Sequence, residues 1–396
     1  MKKHIALIVF SFSLHLSGYF VILNRIEPFQ FFFYLTSWWS YIILIDTILS
    51  IKRKTFFVLN RNFPFLIVIS CGFWCIFEII NVGLQNWFYI NLPPEVYHRY
   101  PGYLLSYGTV IPAIYVTQEL VYTLLGEIKT TPFLLKNYPL YSISTGILAI
   151  LLTYLFPTYC FPLTWIFFAL IVDGYNYTQG YPSFMEGFEK GRIGHLTASL
   201  IAGLICGLLW ETWNFWSISK WIYSVPFFED IKIFEMPIPG YIGFLVFGLE
   251  TMTFVNFLKG RELYKKPLYP VILIALVLSI LSFSIIDRYT VFSYTTKIDR
   301  LSFIEPGKLD SLKNRGVKTS YGIDMNLLDR EERASITLLH LKGLGYDNFL
   351  KLREHGIKDV EELSQYNETT LSQILGEKNP RRVRVYIKAA RRYSKQ

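Results

Sequence analysis

Charge is scarce in this chain. Asp, Glu, Lys and Arg make up 17% of its 396 residues, hydrophobic residues make up 52%, and the mean hydropathy is +0.33. Soluble domains carry about a quarter charged residues, so a single water-soluble globule is excluded. Cysteine is scarce as well. Cys71, Cys75, Cys160 and Cys206 show no paired spacing of a zinc or disulfide framework and leave the redox compartment unread. The six histidines form neither an H-x3-H nor an H-E-x2-H cluster, no span carries a D-x3-D pair that would hold a magnesium diphosphate, and no G-x-S-x-G elbow occurs. No metal and no cofactor are expected.

What the chain has in abundance is apolar runs long enough for a hydrocarbon core of about 30 Å. They cover 4–23, 29–49, 63–83, 102–125, 140–156, 162–175, 193–213, 240–258 and 268–286, the sixth being the shortest. Met1-Lys2-Lys3 before the first run imitates a signal peptide, but no small-x-small site follows, and an uncleaved first span is expected. Lys52, Arg53, Lys54 and Arg61 follow the second run, and Lys259, Arg261, Lys265 and Lys266 follow the eighth. The positive-inside rule makes both loops cytoplasmic and, with nine spans, puts the carboxyl end outside. A multi-pass protein of the cell (inner) membrane is the expectation.

The membrane part reads as written twice. Trp38 and Asp46 recur as Trp165 and Asp173, Glu78 and Asn81 as Glu211 and Asn214, Trp87 and Tyr89 as Trp221 and Tyr223, and Pro101-Gly102-Tyr103 as Pro239-Gly240-Tyr241. The offset grows from 127 through 133 and 134 to 138, as lengthened loops would produce. Both copies run the same way, so a pseudo-twofold axis along the membrane normal is predicted, with Glu78 facing Glu211 across the middle.

Acids within spans are costly, roughly 2.5–3.5 kcal/mol on insertion scales, and need a partner or a task. Asp46, Glu78, Glu119, Asp173, Glu211 and Glu250 all lie in or at the ends of apolar runs. Glu78 with Asn81, and Glu211 with Asn214, are spaced i, i+3 and share a helix face. These four and the pair Asp46 and Asp173 are the candidate catalytic residues. The plain reading sits beside that one: such polar pairs also hydrogen-bond neighbouring helices. By the same token Trp38, Trp87, Trp165, Trp221, Tyr89 and Tyr223 are expected as interfacial belts. His195 near Arg192 is weighed as a proton shuttle and read as a hydrogen-bonded structural residue.

From Arg288 onward there are 21 Lys and Arg against 14 Asp and Glu, so most of the chain's charge of +9 sits in the tail. Within it, Leu338 to Leu352 reads LLHLKGLGYDNFLKL and resembles the helix-hairpin-helix motif at Leu341, Gly343, Leu344 and Gly345. The resemblance implies a tight glycine turn offering backbone amides to phosphate, hence sequence-independent nucleic-acid binding by Lys342, Gly343, Gly345, Arg381, Arg382 and Arg384. A helical module that docks a protein or the membrane surface is the alternative. Leu312 to Lys318 (LKNRGVK) matches Leu352 to Lys358 (LREHGIK) at an offset of 40 and reads as a second, degenerate unit.

Trp210 to Tyr223 has the pattern W-E-x2-N-x6-W-x-Y, followed by Phe234 to Tyr241 (FEMPIPGY). This is similar to the membrane-embedded lycopene cyclases and related carotenoid-biosynthesis proteins. The resemblance implies redox-neutral chemistry in which a carboxylic acid protonates a polyene and aromatic faces shield the cation. Three classes follow: a membrane enzyme acting on an apolar lipid or isoprenoid, a transporter, and a membrane-anchored interaction protein whose tail binds nucleic acid or protein. The expected architecture is an all-α polytopic bundle over 1–287 (repeat one 1–137, repeat two 138–260, last span 267–287). A linker over 288–303 and a basic helical domain over 304–396 complete it.

Overall fold

The computed structural model describes residues 2–228, 231–262 and 269–395. Lys265, Lys266 and the first residues of the last expected span, Pro267 and Leu268, lie outside the described residues. The chain is mostly helical. Its membrane part runs α1 (Lys2–Leu23), α2 (Phe33–Arg53), α3 (Phe63–Leu84), strand β1 (Trp87–Ile90), α4 (Val96–Tyr107), α5 (Val110–Leu125), α6 (Tyr138–Leu155), α7 (Pro157–Cys160), α8 (Phe167–Thr178), α9 (Phe184–Glu189), α10 (Gly194–Trp216), strand β2 (Lys220–Tyr223), strands β3 (Lys232–Ile233) and β4 (Met236–Pro237), α11 (Gly240–Gly260) and α12 (Tyr269–Tyr289).

Seven of these helices, α1, α2, α3, α6, α10, α11 and α12, are long and apolar enough to cross a membrane. Pro157–Trp165 and α8 pass the same test only together, bent by 41°. The run expected as one span over 102–125 is divided between α4 and α5. Ile5, Val9, Phe12, Leu16 and Phe20 on α1, and Leu273, Ile274, Ile280 and Leu281 on α12, are each more than half exposed. In water each would forgo roughly 1.5–3 kcal/mol of burial, so these faces belong against lipid.

Between the helices close approach replaces the hydrophobic effect. A Cβ on Gly203 of α10 would stand 2.8 Å from the Gly248 nitrogen of α11, and one on Gly248 would stand 3.0 Å from the Gly203 Cα. Only glycine at both positions lets the two backbones meet. A second close approach joins α3 to α12, with Gly72 against Ala275.

At one end of the bundle β1 and β2 pair antiparallel, Trp87 with Tyr223, Phe88 with Ile222 and Tyr89 with Trp221. The register is itself symmetric. Since Trp87 corresponds to Trp221 and Tyr89 to Tyr223 in the repeated sequence, exchanging the copies maps the ladder onto itself about the pair Phe88 and Ile222. The chain leaving α12 then adds to the free edge of β1. The Tyr89 amide donates to the Thr290 carbonyl at 2.8 Å, and the Phe292 amide donates to the Tyr89 carbonyl at 2.8 Å.

The tail folds α13 (Pro306–Asn314), α14 (Arg330–Leu339), α15 (Gly345–Glu354), α16 (Val360–Ser364), α17 (Glu368–Leu375) and α18 (Pro380–Tyr393) around a core of its own. Four of these helices start where the sequence caps them. Asp329 and Glu332 form a capping box, and Asp359, Asn367 and Asn379 each accept an amide of the first turn. Val383, Tyr386, Ile387 and Ala390 bury one face of α18, with Phe349 fully buried in the same core. The stretch expected as a linker over 288–303 is held, partly on β1 and partly through Ile298 and Leu301 in the tail core. The resemblance at offset 40 is a shared way of stopping a helix. Gly316 and Gly356 take φ of 83° and 82°, and the amides of Val317 and Ile357 bond back to the carbonyls of Leu312 and Leu352.

Candidate functional site

The doubled residues perform doubled tasks. Asp46 sits at the far end of α2, fully buried, and accepts the amides of Phe57 (2.8 Å), Val58 (3.0 Å) and Leu59 (2.7 Å). Asp173 on α8 accepts those of Phe184 (2.9 Å) and Met185 (3.4 Å), together with the Tyr138 hydroxyl (2.7 Å). The first two acceptances fall 11 and 12 residues downstream in both copies. Each aspartate folds the loop that follows its own helix.

The asparagines do the same at the strand end. The Asn81 side chain donates to the Trp87 carbonyl at 2.8 Å and accepts the amides of Asn86 and Trp87. That of Asn214 donates to the Trp221 carbonyl at 2.9 Å and accepts the Trp221 amide at 3.0 Å. Both clamp a residue at the start of a strand, Trp87 of β1 and Trp221 of β2, to the helix that precedes it.

One turn before each asparagine lies the glutamate. Glu78 is fully buried, and its Oε1 accepts the indoles of Trp74 (2.7 Å) and Trp87 (3.1 Å) and the hydroxyl of Tyr89 (2.5 Å). Glu211, equally buried, accepts the Tyr223 hydroxyl at 2.8 Å, which itself takes the Trp221 indole at 2.8 Å. Among the described residues, Oε2 of neither carboxyl has a hydrogen-bond partner. The two glutamates stand at the same end of the bundle, tied together by the ladder that carries Tyr89 and Tyr223.

Beside the ladder lies a cavity of about 590 Å³. Its wall includes Trp74, Trp87, Tyr89, Trp210, Trp221 and Tyr223, so the hydrogen-bond donors of both glutamates face it while the carboxyls stand one layer behind. Trp165, Tyr107 and Phe247 continue the aromatic wall, and the exposed side chains of Tyr159, Phe228 and Ile242 form an apolar part of the lining. Arg99 enters from α4, nearly buried, held by Asp287 of α12 at 2.6–3.0 Å and by the carbonyls of Pro93 and Pro94. The expectation of interfacial belts is corrected here. Trp38, Trp87 and Tyr89 are buried, and Trp165, Trp221 and Tyr223 line the cavity, because these rings point across the bundle rather than outward to the lipid headgroups. Trp74 and the Arg99–Asp287 pair were not singled out from the sequence. Trp74 carries a readable signal, its i, i+4 spacing to Glu78.

The remaining polar residues have partners of a structural kind. Glu250 accepts the amide of Phe168 at 3.2 Å and caps the start of α8, where the bent pair breaks. At the opposite end of the bundle Glu119 pairs with Lys259 at 3.7 Å. His195 bonds Gln118 at 3.0 Å and stacks on Tyr122 with centroids 3.8 Å apart, while Arg53 reaches Thr123.

The basic residues assigned to nucleic acid are largely turned onto the chain's own bundle. Lys342 pairs with Glu235, and Gly343 is buried with Ile90 and Phe292 against it. Gly345 meets Ser293. Arg381 donates to the carbonyls of Leu84 and Ser224, both at 3.1 Å. Arg382 donates to the Phe292 carbonyl at 2.8 Å, lies 4.0 Å over its ring and pairs with Glu377. Arg384 pairs within the tail, with Glu368 at 3.0 Å. Among the described residues no group of three or more His, Cys, Asp or Glu side chains is placed to hold a metal ion. No family model matches this chain, and neither a curated protein nor a solved structure matches it.

Proposed function

We propose that this integral membrane protein admits an apolar lipid or isoprenoid chain to the aromatic cavity and acts on it by redox-neutral acid–base chemistry. The observation that carries the reading is one cavity in which two of the wall tyrosines, Tyr89 and Tyr223, each bond a buried glutamate, Glu78 and Glu211. A carboxyl bordered by neutral donors can exchange a proton with the hydroxyl it bonds, and that hydroxyl meets the ligand. The surrounding indole and phenol faces favour a developing positive charge. The resemblance to lycopene cyclases points to the same class of reaction. Glu78 and Glu211 are then the proton sources, Tyr89 and Tyr223 the groups in contact with the ligand, and Asn81 and Asn214 the residues that position the strands. Asp46 and Asp173, saturated by backbone amides, shape the loops.

The architecture that goes with this reading is nine crossings, with α1–α5 related to α6–α11 by a twofold axis along the membrane normal and α12 as the ninth. Arg53 and Lys259 lie together at the end remote from the strands. The positive-inside rule then puts the strands and the tail outside. In that arrangement the helix-hairpin-helix resemblance describes a clamp on the strand end of the bundle, since the turn and most of the basic residues it would offer to phosphate are in use there.

The test uses purified protein in nanodiscs made with lipids of its source membrane. Solvent extraction should recover an enriched apolar compound, and incubation should convert it to an isomer of unchanged mass. Glu78→Gln and Glu211→Gln should retain the compound and stop the conversion. Recovery of bulk membrane lipid alone, with no isomer formed, overturns the reading.

A further inference from the structure

At the end of the bundle remote from the strands, the chain between α5 and α6 runs extended beside the turn between α9 and α10. The Thr130 amide donates to the Gly191 carbonyl, the Ile193 amide to the Ile128 carbonyl and the Phe133 amide to the Phe188 carbonyl, each at 2.9 Å. The turn is tight, since Gly191 has a φ of 61° and a Cβ there would stand 2.5 Å from the Thr130 carbonyl oxygen. Lys129 and Arg192 are bridged antiparallel. Because their neighbours make the hydrogen bonds, they form the non-hydrogen-bonded kind of pair, in which facing side chains come closest. Both side chains are exposed, and among the described residues neither has an ion-pair or hydrogen-bond partner. Like charges directly opposite one another are unfavourable. The acids around them are engaged elsewhere: Glu127 accepts the Gly194 amide at 2.8 Å and the Tyr122 hydroxyl at 3.3 Å, Glu186 pairs with Lys190, and Glu189 takes the Tyr177 hydroxyl. Beside the cations the same chain exposes Leu124 (76%), Leu134 (70%) and Phe133 (53%). The helices α6 and α10, both long and apolar enough to cross a membrane, begin here, so this surface stands at a hydrocarbon boundary.

We propose that this surface seats in the headgroup layer of the membrane and that Lys129 and Arg192 together hold the phosphate of an anionic phospholipid. Water would leave Leu124, Phe133 and Leu134 exposed at a cost, and hydrocarbon would strip the cations of their hydration. The anionic headgroup layer meets both demands, with apolar side chains dipping toward the acyl chains and cations at the level of the phosphates. A phosphate between an ammonium and a guanidinium takes charge-assisted hydrogen bonds from both and replaces their mutual repulsion by attraction. The hydrogen bonds that flank the bridge hold the two backbones in place before a lipid arrives, so little order has to be imposed on binding. The leaflet is the cytoplasmic one on the orientation proposed above, and nothing in the site depends on the acid–base chemistry.

The test is native mass spectrometry of the full chain in detergent, titrated with dioleoyl phosphatidylglycerol, dioleoyl phosphatidylcholine or glycerol phosphate. Three proteins are compared: the wild type, Lys129→Gln combined with Arg192→Gln, and a control with the same loss of charge on the exposed surface of the tail, Arg315→Gln combined with Lys358→Gln. Phosphatidylglycerol should bind the wild type about tenfold more tightly than phosphatidylcholine, the return expected from two cations at one headgroup. The Lys129 and Arg192 variant should lose most of that preference with its affinity for phosphatidylcholine unchanged, which also shows it to be folded, and the control should keep the preference. Lys129→Gln alone, expected to lose part of it, serves if the double variant fails to purify. Equal binding of the two lipids by the wild type overturns the headgroup site and leaves the surface to a protein partner. An equal loss in the control overturns it in favour of general attraction to a basic chain, as does a full preference kept by the Lys129 and Arg192 variant. Glycerol phosphate binding as tightly as phosphatidylglycerol overturns the lipid and identifies a soluble anion as the ligand.

Discussion

The sharpest division the structure draws is between buried acids that hold the fold and buried acids that face a ligand through a hydroxyl, and Asp46→Ala tests it. Asp46 accepts three backbone amides at 2.7–3.0 Å and is fully buried. Removing the carboxylate leaves three N–H groups without an acceptor. Each buried orphan costs about 1–3 kcal/mol, and since Phe57 and Leu59 are only half-buried and water can reach part of the loop, a loss on the order of 3–6 kcal/mol is expected. Asp173→Ala breaks fewer backbone bonds, one of them at 3.4 Å, and should cost less, on the order of 2–4 kcal/mol. Asp46→Asn keeps one acceptor oxygen and should fall between wild type and Asp46→Ala. Glu78→Gln retains an acceptor for Trp74, Trp87 and Tyr89 and should purify with nearly wild-type stability. The assay is thermal unfolding in detergent followed by size-exclusion elution, run beside the isomerisation measurement. An Asp46→Ala protein that melts like wild type but has lost activity would refute the division and make Asp46 a working acid.

Other expectations follow from the same geometry. Arg381→Ala with Arg382→Ala removes the bonds to Leu84, Ser224 and Phe292, so limited proteolysis should cut between the bundle and the tail several-fold faster, with the bundle still intact. Gly203→Leu forces α10 from α11 where the backbones meet and should abolish assembly, while Gly307→Ala, with open space around it, should have little effect on melting. His340, buried in the tail and bonded to Ser320 at 2.8 Å, is held down from 6.5 to about 3 by burial and then by the charge of Arg25. Lys342, Lys388 and Arg392 line a cavity together with His340, and Tyr321 stacks on the His340 ring. Because the unfolded chain takes up a proton below pH 6.5 that the folded tail refuses until about 3, tail stability should fall as pH drops through that window. A His340→Asn variant should show a flatter pH dependence by hydrogen exchange of the tail helices.

The sequence by itself determined the elements whose causes are local. Apolar length set the long helices, caps such as Asp329 and Asn367 set where the tail helices begin, and Gly316 and Gly356 set where two of them stop. The doubled spacing went further, since Asp46 and Asn81 find their amides within 13 residues of themselves, and a repeat of sequence is then a repeat of contacts. The tertiary structure decided what depends on packing across hundreds of residues. That Tyr89 and Tyr223 share one cavity follows from the antiparallel pairing of β1 with β2, whose register the repeated sequence does not state. That Trp38 faces inward follows from how α2 is rotated in the bundle, to which periodicity is blind in a helix apolar all round, and that Trp87 and Tyr89 are buried follows from β1 lying across the bundle's end. The tertiary structure also decides the direction of Arg381 and Arg382. A basic side chain near a glycine turn looks the same in sequence whether it awaits an anion or already bonds a carbonyl. Only the docking of the tail on the strands brings those carbonyls within its reach.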